Sequence, residues 1–309
     1  MHAYELKLLF ATQYSDSCFR SIRAVAQLAD IFRVHLTIAH VGSSSRAAQR
    51  ELQSFFAEAD HYESCERILL EGSPAEELSR HARQVGYDLI IAPRSDRLGI
   101  PRLLHRSTRC KLLDTGRTPV WTACRGLEVA DFRRNYRSVA VFIDGREYNL
   151  AHVELAASFA KRVGAELRIL TVVPEVQEDA LIADSRLLQP LSADVAVERI
   201  QRLLSSWRLI PKVDVTTGVP EHELAGMAAR CEADLLFLSE ARNCRGYYFR
   251  QLSRAVDLAP CPVVVVPTAL PNGFQWSFLN ATPAISAQSV KLLEEHAQSL
   301  TDGTYTQSV

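Results

Sequence analysis

Two stretches of this 309-residue sequence concentrate side chains able to hold an anion. Arg94, Arg97, Arg102 and Arg106 crowd one of them, and Arg242, Arg245, Arg250 and Arg254 the other. A guanidinium is a rigid fork of N–H donors that matches two oxygens of a phosphate or carboxylate, so either stretch could form an anion site. The same residues also suit a solvated basic loop and helix face paired with nearby carboxylates. The sequence alone leaves both readings open, with polyanion or anionic-lipid binding as a third whose signature would be a steep salt dependence.

Other chemistry is missing. No G-x-x-x-x-G-K-S/T phosphate loop, G-x-G-x-x-G turn or G-x-S-x-G nucleophile elbow occurs. The nine histidines include no H-E-x-x-H and no pair four apart that would suggest zinc. His40 closes an apolar run and reads as an ordinary sheet-end histidine. Glu221 and Glu223 flank His222 at a helix start, where acids favour the helix dipole. Nothing assembles a nucleophile, a base and an oxyanion site, so the expectation is a protein that is not an enzyme. The seven cysteines are scattered without a C-x-x-C pair, which suits reduced thiols in the cytosol. A net charge of -1 gives no global case for nucleic acid, and no apolar run is long enough for a membrane helix. The N-terminus lacks the pattern of a secretory signal, so a cytoplasmic location is expected.

The elements that must position these residues come in two sets. Gly72 and Gly218 stand 146 positions apart, as do Pro74 and Pro220, and Asp88 and Asp234. Thr118-Pro119-Val120 matches Cys261-Pro262-Val263 at 143. Such drift, with the order kept, marks a duplicated unit separated by insertions. The boundaries read as a first unit at 1–124, a polar linker at 125–136, a second unit at 137–268 and a tail at 269–309. In the tail Ile285, Val290, Leu293, Ala297 and Leu300 predict one amphipathic helix.

Within each unit short β-branched runs alternate with helical patterns. The first unit predicts strands at LKLLFA, HLTIAHV, ERILLEG, DLIIAP and PVWTA, with helices over 22–32, 47–59, 75–84 and 103–112. The second predicts strands at SVAVFID, ELRILTVV, KVDVTTG, ADLLFLS and PVVVV. Its helices are expected to end at Gly164, span LSADVAVERIQRLLSSW, begin near Pro220 and cover 251–258. Strands apolar on both faces and alternating with helices imply a parallel sheet covered on each side, a doubly wound α/β fold in two tandem copies. Any ligand belongs beyond the carboxyl ends of the strands, where the strand order reverses.

This ordered set of residues resembles the universal stress protein family over nearly all of both units. The resembling residues are VAVFID ending in Asp144, LTVV with Val172, the G-x-P of Gly218 and Pro220, ADLL, and APCPVVVV at the last strand. The resemblance implies the adenine nucleotide alpha hydrolase-like fold, and pairing of the two units through their last strands into an intramolecular pseudo-dimer. A further homodimer is compatible but not required. ATP-binding members carry G-x-x-G-(nine residues)-G-S/T after the fourth strand, where backbone amides must approach phosphate closely. Here Ala92 and Ser95 stand at those glycines in the first unit, and Ser239 and Arg242 in the second. The first unit also has Thr12–Gln13 opposite Asp144. The expectation is a stress-response binding or regulatory module with weak or absent ATP binding. The alternative is an ATP or other adenine-nucleotide sensor in the second unit, using Asp144, Val172, Ser239, Arg242, Arg245 and Gly246. For Asp144 a turn-capping role is the equal alternative.

Overall fold

Runs such as LKLLFAT and SVAVFI cannot lie with one face in water, and the chain answers by placing them side by side under helices. The computed structural model of the chain describes residues 6–62, 64–94, 108–115, 117–123, 135–143, 151–173, 198, 200, 204, 209–240 and 254–268. In the first unit the order is β1 (Leu6–Thr12), α1 (Asp16–Ile31), β2 (Val34–Val41), α2 (Arg46–Ser54), a short 3-10 helix (Ala57–His61) and β3 (Ser64–Leu70). α3 (Pro74–Val85), β4 (Leu89–Ile91), α4 (Thr108–Thr115) and β5 (Val120–Thr122) follow. The second unit has β6 (Ser138–Ile143), α5 (Ala151–Val163), β7 (Glu166–Val173), β8 (Lys212–Thr217), α6 (Pro220–Arg230), β9 (Leu235–Ser239) and β10 (Val263–Val266). Residues 254–258, just before β10, are helical. The predicted tail helix lies outside the described residues, as does most of LSADVAVERIQRLLSSW.

These strands form one sheet in the order β3-β2-β1-β4-β5-β10-β9-β6-β7-β8. Neighbours within each unit are parallel. The join between units is antiparallel: Val263 faces Thr122, Val264 faces Trp121 and Val265 faces Val120. The last strands therefore pair within one chain, as the family resemblance implied. The halves also meet on a helical layer. Tyr136 packs edge-on against Phe159 of α5 at 5.0 Å, and Phe32 at the end of α1 tilts against the same ring at 6.1 Å. Arg162 of α5 lies over the Phe32 ring, 5.6 Å from its centre.

The repeated motifs have local causes. Gly72 and Gly218 take φ of +127° and +137°, which L side chains rarely adopt, and a Cβ on either would lie 3.0 Å from Cγ of Glu77 or Glu223. The proline two residues later opens α3 or α6, where its missing N–H costs nothing. Asp88 and Asp234 tie the fourth strand of each unit to the first. Asp88 Oδ2 accepts from the Lys7 amide at 2.8 Å, and Asp234 Oδ2 accepts from the Arg137 and Ser138 amides at 2.7 and 3.0 Å.

Two expected helices differ in extent. The one predicted over 47–59 stops at Ser54, because Phe55 and Phe56 are both buried and adjacent helical positions cannot face one way. Phe56 turns into the left-handed region at φ 54° and the 3-10 helix follows. The one predicted over 103–112 is described from Thr108 and continues to Thr115.

An ion pair crosses the join among the described residues. Arg109 of α4 has only 7% of its side chain exposed and donates from Nη2 to Asp257 Oδ1 at 2.8 Å. Breaking a buried pair from one side strands the other charge, at about 3 kcal/mol, whereas replacing the cation by an apolar chain of similar length costs less. Asp257→Ala should therefore lower stability in urea by about 3 kcal/mol, and Arg109→Met by clearly less. Equal losses would mean that the pair does not govern the join.

Candidate functional site

The strand order reverses between β6 and β9 in the second unit and between β1 and β4 in the first. The crevices at the carboxyl ends of these strands are where a parallel sheet offers a ligand free backbone groups.

In the second unit Val172 is the penultimate residue of β7 and Ser239 the last of β9. They stand on the two strands that flank β6, at the same rim of the sheet. The Val172 side chain is buried in the core, so only its backbone could face a ligand. Ser239 is half-buried and pairs with Val266. Asp144 follows Ile143, the last residue of β6, and lies outside the described residues with Arg242, Arg245 and Gly246. Arg97, Arg102, Arg106 and Arg250 also lie outside them. Of the remaining two arginines, Arg94 is half-buried and Arg254 exposed.

The sequence reading passed over Glu240. It is buried, directly after β9, and its amide donates to the Val266 carbonyl at 2.8 Å. In the matching ladders Ile90 donates to Pro119 and Leu236 to Pro262, which makes Arg94 the counterpart of Glu240. Equivalent positions after the fourth strand therefore hold an arginine in the first unit and a glutamate in the second. The signal was an acid placed immediately after an apolar strand, a place normally left to small or turn-forming residues.

His152 underlies the same rim. It sits at the start of α5, fully buried, and donates from Nε2 to the Phe142 carbonyl at 3.2 Å. Burial pushes its pKa down to about 4, the hydrogen bond opposing that shift.

The first unit's crevice is lined by aromatic rings. Tyr14, two residues past β1, takes φ 56°. Its ring stacks on His40 of β2 at 4.5 Å and meets Phe55 edge-on at 5.6 Å. Phe19 of α1 tilts against Phe55 at 5.1 Å. His40 Nδ1 lies 3.0 Å from the Thr12 carbonyl, so His40 is tied to its own sheet. The Tyr14 hydroxyl is buried without a hydrogen-bond partner, and burial, with Glu51 adding to it, raises its pKa to about 12. Ser17 Oγ donates to the Arg94 carbonyl, pinning the segment after β4 against α1.

Other sequence candidates take structural places. Glu223 packs under Gly218, and His222 is exposed on the first turn of α6. Among the described residues, Cys18, Cys65, Cys110, Cys231 and Cys261 are not joined in disulfides. Among the described residues no group of three or more His, Cys, Asp or Glu side chains could hold a metal ion, and no helix is long and apolar enough to cross a membrane.

Two tandem doubly wound α/β units, joined into one sheet with a reversal of strand order in each, define the architecture of the chain. The sequence model of the universal stress protein family matches residues 6–123 and 135–267, and the chain belongs to that family. A universal stress protein from Archaeoglobus fulgidus DSM 4304 superimposes with a TM-score of 0.64 at 17% identity, over 85% of this chain and 96% of that one. A putative universal stress protein from Pseudomonas aeruginosa UCBPP-PA14 gives 0.56 at 13% identity, over 96% and 98%. The cytoplasmic domain of a prokaryotic cation chloride cotransporter gives 0.51 at 12%, over 89% and 99%. At these identities the likeness is one of fold. No curated protein matches the chain.

His152 makes a pH prediction. Its native pKa lies below the ordinary histidine value, so the unfolded chain binds a proton that the folded chain refuses. Stability should be unaffected above about pH 6.5 and fall as pH drops towards 4, by about 3 kcal/mol in total. Urea midpoints at pH 7 and pH 5 measure this fall. His152→Leu should flatten it, and an unchanged slope in that variant would assign the fall to other groups.

Proposed function

We propose that the chain is a non-enzymatic stress-response module that binds and regulates, with weak or absent ATP binding, working in the cytoplasm. The observation that carries this reading is the stack of Tyr14 on His40 at the ends of β1 and β2. A planar ligand at that rim would have to displace a ring already packed against Phe55. The replacement of the glycine positions supports the same reading, since a side chain at such a position hinders the close approach of a phosphate to the backbone. Thiols without a partner pattern agree with a reducing compartment.

A second reading keeps the second unit as an ATP or adenine-nucleotide sensor. It is favoured by Val172 and Ser239 standing on the strands that flank β6, with Asp144 the next residue after that strand. Equilibrium dialysis of the full chain against labelled ATP separates the two. The expected result is no saturable binding approaching one nucleotide per chain. Adenine nucleotide co-purifying at near one per chain, and lost on Ser239→Arg, would overturn it in favour of the sensor.

A further inference from the structure

A groove lies away from both crevices, on the outer flank of the first unit between α2 and β3. Its volume is about 810 Å³, within the range of about 300–1,000 Å³ common for small-molecule clefts. Arg46, Gln49, Arg50 and Gln53 line it from α2, and Arg67 and Leu69 from β3. β3 is the terminal strand of the described sheet, so no neighbouring strand covers this flank among the described residues.

The charges here are unbalanced in a way that folding does not explain. Arg46 and Arg50 are one helical turn apart, where like charges repel. Both are exposed and neither forms an ion pair among the described residues. Carboxylates nearby are engaged elsewhere. Glu66 accepts from Thr37 Oγ1 at 2.8 Å and faces His35 at 3.6 Å. Glu71 accepts from the Ser44 amide at 2.9 Å. Glu51 acts on Tyr14.

Arg67 differs from a surface arginine. Only 6% of its side chain is exposed, and it is fixed by Asp60 and by the Phe55 and Phe56 carbonyls at 3.4 and 3.0 Å. Its Nε is buried and has no hydrogen-bond partner. One ordered, buried guanidinium thus stands against two unpaired ones across an open groove. Two carboxamides lie beside them, and Leu52 and Leu69 supply apolar surface.

We propose that this groove binds a small phosphorylated, hydroxyl-rich molecule. Arg46 and Arg50 would grip the phosphate oxygens and Gln49 and Gln53 would exchange hydrogen bonds with hydroxyls, while Arg67, held by Asp60, would form the fixed wall of the groove. Among the described residues no aromatic ring lines the groove to stack a nucleobase, which sets a sugar phosphate above a nucleotide as the ligand. The site is independent of the strand-end crevices and of the reading given for them.

The test uses the full chain and ribose 5-phosphate as probe, followed by calorimetric titration at fixed salt, with ribose and inorganic phosphate as partial ligands. Saturable binding of ribose 5-phosphate at one per chain is expected. Arg46→Gln with Arg50→Gln should weaken it by about tenfold or more, since each lost charge-assisted bond is worth more than a kilocalorie. These side chains are exposed, so unchanged circular dichroism is expected for the pair. Arg23→Gln with Arg230→Gln, which removes the same charge elsewhere, should leave binding unchanged. The proposal fails if wild-type protein shows no saturable binding, if the two double variants weaken it equally, or if the Arg46 and Arg50 changes leave it intact. Inorganic phosphate binding as tightly as the sugar phosphate would also overturn it, reducing the groove to an ion site.

Discussion

The pairing of β5 with β10 is the constraint on which the rest of the molecule depends. Each unit ends in a short strand of fully buried residues, Val120–Thr122 in one and Val263–Val266 in the other. Either strand alone would be a sheet edge with apolar faces and unpaired backbone groups, which a folded protein must cover. By joining them the chain supplies each unit with its missing neighbour. The helical contact through Phe32, Phe159 and Tyr136, and the Arg109–Asp257 pair, then have a fixed geometry to settle into. A separated unit would expose this strand and would need another neighbour to cover it.

Much of this was legible in the sequence because it depends on local rules. A buried strand reads as a β-branched run, and a helix start reads as Gly-x-Pro when the glycine needs positive φ and the proline opens the next element. Asp88 and Asp234 were visible as a repeated pair; their shared work on strand amides required the fold to see. The break at Phe55–Phe56 was not legible, since a periodic pattern continues through it and only the burial of both rings decides against a helix.

The candidate sites were less legible than the fold, for physical reasons. Residues at strand ends acquire meaning from neighbours far away in sequence. Tyr14 gains its meaning only in the fold, where His40 and Phe55 come beside it from β2 and the end of α2. Glu240 follows an apolar strand in sequence, and only the fold shows that it is buried there. The arginines of α2 drew no notice because helical arginines are usually solvated. Only the approach of Arg67 from β3 makes a groove of them. The structure brings Val172 and Ser239 to one rim, and the two units share a scaffold without sharing the chemistry placed on it.

The antiparallel join has a geometric consequence. Strands of the first unit run opposite to those of the second, so their carboxyl ends emerge at opposite rims of one continuous sheet. The two crevices face away from each other, like sockets at the two ends of a single rod. No one small molecule can touch both, and whatever occupies one can sense the other only through the strands and helices between them.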